Sequence, residues 1–123
     1  MSRTLALVLF SFAGLSTACG GEKSSVDAEA VAEANKIWNE RCVTCHAADG
    51  SGKGPGAAAL AVKPRSFQDP TWQASVDDAR IRKVIVEGGL AVGLNESMAP
   101  NPDLADKPAV VDQLVVKIRK LSQ

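Results

Sequence analysis

The chain has 123 residues, with 14 basic and 14 acidic side chains, a single His, three Cys, two Met and no Tyr. That length holds one domain, and so even a charge balance lacks the basic stripe that nucleic-acid binding requires, so nucleic acid is not among the expected partners. Aromatic residues make up only 4%, and a domain this small buries a modest core, which a large apolar cofactor would extend.

Residues 1–18 read as a secretory leader rather than as part of the fold. Arg3 gives a basic start, Leu5 to Leu15 is an unbroken apolar or small run, and Ser16-Thr17-Ala18 offers small residues at a cleavage point. The run is shorter than the roughly 20 residues a membrane span needs. Leu15-Ser16-Thr17-Ala18-Cys19-Gly20 resembles a bacterial lipobox, which implies that Cys19 becomes the lipidated first residue of the mature protein. It departs from that pattern at Ser16, where Leu is usual and Leu15 stands one place too early. Ordinary cleavage after Ala18 is the competing reading, and it would leave an exposed thiol that is a liability in an oxidising compartment. Gly20 to Ser25 reads as a flexible tether. The expected organisation is a leader over 1–18, a lipidated Cys and tether over 19–26, and a folded domain over 27–123.

From Asp27 the pattern becomes helical, with Ala28, Val31, Ala32, Ile37 and Trp38 alternating with polar residues to about residue 45 and acidic residues gathered at the dipole-favoured start. This helix closes in Cys42-Val43-Thr44-Cys45-His46. Two thiols three apart and an imidazole four beyond the first share one helical face, at the spacing of covalent haem attachment. Each sulfur can add across one vinyl group while the imidazole is held beneath the iron as an axial ligand. A structural zinc site wants four N or S ligands, but Cys19 is the only other Cys and His46 the only His. A thioredoxin-like dithiol would need a βαβ setting that the flanking residues do not provide. The reading fits export, because bacterial haem attachment takes place outside the cytoplasm.

Asp49 to Gly56 holds four glycines and Pro55 and must be a loop. Ala57 to Val62 reads as a short helical turn. Pro64 and Pro70 bracket an irregular segment with Arg65 and Phe67, and Trp72 follows it. Ser75, three before Asp78, resembles the start of a second helix whose stripe is Ile81, Val84 and Ile85 and whose end is Gly88-Gly89. Leu94 to Asp106 reads as a Pro- and Asn-rich loop. Within it Met98 is the only Met beyond the leader, in a polar Pro-bearing setting where core filling is a poor use for it, and no second His competes. Met98 is therefore the expected sixth iron ligand. A third helix starts near Pro108, carries Val111, Leu114, Val115, Ile118 and Leu121 on one face, and ends with Lys117, Arg119 and Lys120 complementing the dipole.

With the haem motif, the Gly52-Lys53-Gly54-Pro55 loop and a Met-bearing loop before a terminal helix, residues 27–122 resemble a small class I c-type cytochrome. The resemblance implies an all-α fold around one covalently attached haem c. It also implies a monomeric single-electron carrier, not an enzyme, that exchanges electrons with periplasmic or membrane redox protein partners. It assigns the Pro55 carbonyl to the second imidazole nitrogen of His46. Two departures are Ala99, where Pro often follows the ligand Met, and a terminal helix without an aromatic, which leaves Trp38 to meet Leu114 and Ile118. Arg65 and Trp72 are candidate donors to the haem propionates, and Lys53, Lys63 and Lys83 are candidates for the haem rim. The expected location is the periplasmic side of a bacterial membrane, held by a lipid anchor on Cys19. A haem-based sensor or peroxidase with a displaceable sixth ligand is the main rival reading, and a haem-free dithiol protein a lesser one.

Overall fold

The computed structural model describes residues 21–123, with side chains from Asp27 onward; the leader and Cys19 lie outside the described residues. Every regular element among those residues is helical. They are α1 (Gly21–Ile37), a π turn (Trp38–Cys42), α2 (Val43–His46), α3 (Pro70–Ser75), α4 (Asp78–Glu87) and α5 (Pro108–Lys120), with 3-10 turns at Ala57–Ala59, Gly89–Val92 and Pro102–Leu104. No described helix is long and apolar enough to cross a membrane.

The first helix differs from its sequence reading in three ways. It begins at Gly21, so the backbone of the segment read as a tether is helical. Its buried positions are Ala30, Ala34, Ile37 and Trp38, while Ala28, Val31 and Ala32 face solvent. Ala and Val occur nearly all round α1, so its periodicity alone is ambiguous, and the line that is buried is the i, i+4, i+7, i+8 stripe leading to Trp38. Finally, the helix widens into a π turn at Trp38–Cys42 that ends on the first thiol, a local irregularity that often marks functional positions.

Helix α5 is the centre of the packing and contacts both α1 and α4. Its Val110, Val111, Leu114, Val115 and Ile118 join the buried stripe of α1, Ile81 and Ile85 of α4, and Phe67 and Leu104 from the connections. Trp38 does share this cluster with Leu114 and Ile118, and the Lys117 ammonium sits 5.6 Å from its ring centroid.

Two boundaries are set by aspartates rather than by the residues expected from the sequence. Asp69 accepts from the amides of Thr71 and Trp72 with Pro70 at the first helical position, so Pro70 opens α3 instead of closing an irregular segment. Asp77, not Ser75, caps α4 by accepting from the Arg80 amide. The Ser75 hydroxyl donates back to the Trp72 carbonyl at 2.8 Å within α3. At its other end α4 stops at Gly88, whose φ of 81° is cheap only for glycine.

Candidate haem-binding site

The carbonyls that α2 leaves unpaired at its C-terminus are satisfied by the glycine loop. Amides of Gly52, Gly54 and Gly56 donate to the carbonyls of His46, Cys45 and Thr44 at 2.9, 3.1 and 2.8 Å, an arrangement that fixes the thiol and imidazole positions through the backbone. A Cβ at Gly54 would overlap the carbonyl oxygens of Val43 and Thr44, so only glycine permits this approach. Between His46 and the loop, Ala47 holds φ 63° and ψ 161°, a region that costs a residue with a Cβ about 1–3 kcal/mol.

His46 Nδ1 lies 3.3 Å from the Arg65 carbonyl. A carbonyl only accepts, so Nδ1 carries the proton and Nε2 is left with a free lone pair. This corrects the assignment of Pro55 to that role. Pro55 is exposed on the turn between Gly54 and Gly56, while Gly52, with φ 75° and no side chain, lets residues 64–65 pass against the loop and brings the Arg65 carbonyl to the ring. On its face the imidazole stacks on Phe67, with centroids 4.4 Å apart and planes 16° apart. Burial pushes the His46 pKa down, partly offset by the Arg65 carbonyl, and so favours the neutral imidazole that can ligate a metal. Burial likewise pushes the Cys42 thiol up to about 11, against the lowering effect of Arg41.

A cavity of about 420 Å³ opens beside these groups, within the range of cofactor pockets. Its wall includes Cys42, Cys45, His46 and Met98 together with an apolar lining from Trp38, Ile81, Val84, Ile85, Leu104 and Leu114. Met98 is brought there by backbone contacts: its carbonyl accepts from the Gly89 amide at 2.8 Å, and its amide donates to the Asn95 carbonyl at 3.3 Å.

Both propionate candidates border the same cavity. Arg65 is exposed, and Trp72 is half-buried and packs on Phe67 with centroids 5.3 Å apart. Of the three rim lysines only Lys63 lines the cavity, and its ammonium is engaged by the carbonyls of Ala57, Ala58 and Leu60. Lys83 pairs instead with Glu87 at 3.9 Å, and Lys53 is exposed away from the wall. Sequence reasoning passed over Phe67 as a ligand support and Arg80 as a wall residue. The one available signal was that Phe67 is the only Phe outside the leader.

The residues fit a haem: two thiols and a neutral imidazole on one turn, a thioether on the same wall, and an apolar lining for a flat macrocycle. Among the described residues no group of three or more His, Cys, Asp or Glu side chains could hold a bare metal ion, which disfavours the zinc reading. The fold and site thus define a small all-α protein built around one haem. The family model for cytochrome c matches residues 31–114, and the chain belongs to that family, as a class I c-type cytochrome. It carries one covalently bound haem c and is a haem-binding electron carrier. No curated protein matches the chain.

Proposed function

We propose that Cys42 and Cys45 form the two thioethers, that His46 and Met98 are the axial ligands, and that the protein shuttles single electrons between partners on the periplasmic side of a bacterial membrane. The observation that carries this reading is that one apolar cavity has all four side chains in its wall, although Met98 reaches it from a different part of the chain. The bound haem supplies a one-electron couple, and Met/His ligation favours a high potential. The protein's own part is to hold both ligands still and to keep water from the iron. The Arg65 carbonyl and the Phe67 ring fix His46, and the Gly89 and Asn95 backbone groups fix the Met98 segment. Arg65, Trp72 and Arg80 border the cavity where propionates would need donors.

Met98→Ala tests the reading. It should leave the haem attached, abolish the weak ferric sulfur-to-iron charge-transfer band in the red, lower the potential and admit external ligands. A wild-type protein without that band that binds carbon monoxide rapidly would favour a sensor or peroxidase with an open sixth site.

A further inference from the structure

Arg41 directly precedes the first haem thiol, yet its guanidinium reaches across to the segment that follows Met98. It donates to both carboxylate oxygens of Asp103 at 2.9 Å each and to the Asn101 side-chain oxygen at 3.3 Å. Asn101 is in turn bound to the end of α4, its side-chain amide donating to the Ile85 carbonyl at 2.8 Å and its backbone amide to the Val86 carbonyl at 3.0 Å. Asn101 also lines the cavity, three residues after Met98. The same fork therefore holds one end of the Met98 loop to the backbone that carries Cys42, while the Gly89 amide holds its middle.

We infer that Arg41 is a positioning residue for Met98: its fork on Asp103 and Asn101 ties the Met98 loop to the haem-attachment turn and so keeps the thioether on the iron. This rests on the assignment of Met98 as the sixth ligand. A planar, two-pronged guanidinium suits the task because two parallel hydrogen bonds restrict rotation as well as distance. A lysine ammonium at the same place would keep the charge and lose the orientation.

Arg82 supplies the control. It pairs with Asp112 at 2.6 Å with almost the same exposure as the Arg41 and Asp103 pair, but it joins α4 to α5 away from the Met98 loop. Arg41→Gln, Arg41→Lys, Asp103→Asn and Arg82→Gln holoproteins should be compared for the rate at which imidazole replaces Met98 on ferric iron. The same variants should be compared for hydrogen exchange at the Gly89 amide. The first three should bind imidazole and exchange Gly89 roughly fivefold faster than wild type, the size a well-formed exposed pair supports. Arg82→Gln should change neither. If the wild-type protein shows the sulfur-to-iron band but the Arg41 and Asp103 variants match Arg82→Gln, the positioning role is overturned while the ligand assignment stands. If wild type lacks that band, both fall. Asp103→Asn, on the far side of the contact, guards against a folding defect particular to Arg41.

Discussion

Ala47 is the residue on which local strain and the site meet most directly. Its backbone sits at φ 63° and ψ 161° because α2 must end abruptly, turning the chain into the glycine loop just after His46. Ala47→Gly would remove about 1–3 kcal/mol of strain and lose about 0.4–1 kcal/mol through the freer unfolded chain. The holoprotein should gain roughly 1 kcal/mol, read as a higher urea midpoint with unchanged slope and an unchanged visible spectrum. A lower midpoint would mean that the Ala47 methyl contributes packing that outweighs the strain. At His46 itself, the Arg65 carbonyl and the Phe67 ring act together, one fixing the tautomer and the other the plane.

Among the elements, the turn after α4 sets the Met98 loop. Gly88 redirects the chain at a positive φ of 81°, and Gly89 then lies so close to the loop that a Cβ would overlap the Asn95 carbonyl oxygen and press on the Met98 side chain. The obstacle is partly backbone and has no flexible side chain to move aside. Gly89→Ala should therefore displace the Met98 loop, costing the ferric sulfur-to-iron band while leaving the haem on Cys42 and Cys45. An intact band in that variant would show that the loop can re-route around a methyl group. The glycine loop after α2 works by the same principle at the other wall, where amides rather than side chains meet the helix carbonyls.

For the whole molecule, the haem completes the core. The cavity of about 420 Å³ is walled by Trp38, Ile81, Ile85, Leu104 and Leu114, apolar side chains that have no packing partner on that side unless the macrocycle fills it. A Cys42→Ala, Cys45→Ala protein that cannot attach haem should accordingly lose most of its helical circular dichroism and its cooperative melt. Native helix content in that variant would show that the helices close over the space unaided. The proposed attachment of the domain to a membrane involves Cys19, which lies outside the described residues. Cys19→Ser should release soluble, red protein from membranes, since a single acyl chain anchors only marginally and the proposed hold is a diacylated Cys19. Unchanged membrane association would point to an uncleaved leader.

The haem motif, the terminal helix and the stop at Gly88 were legible in the sequence because each is written within a few neighbouring positions. Three residues of Cys42-Val43-Thr44-Cys45-His46 fall on one turn, Pro108 and an apolar stripe define α5, and a glycine pair ends α4. The position of Met98 beside the thiols and His46 on one cavity wall was legible as well, because so few other donors exist in the chain. Tertiary structure alone decided that Arg65 rather than Pro55 faces His46, since that choice depends on how closely residues 64–65 pass over Gly52. It also decided which stripe of an Ala-rich α1 is buried, and it joined Arg41 to Asp103 across 62 residues of chain. None of these has a local period or spacing. They are contacts between segments whose separation is set by the packing of α5 against α1 and α4 around the cavity.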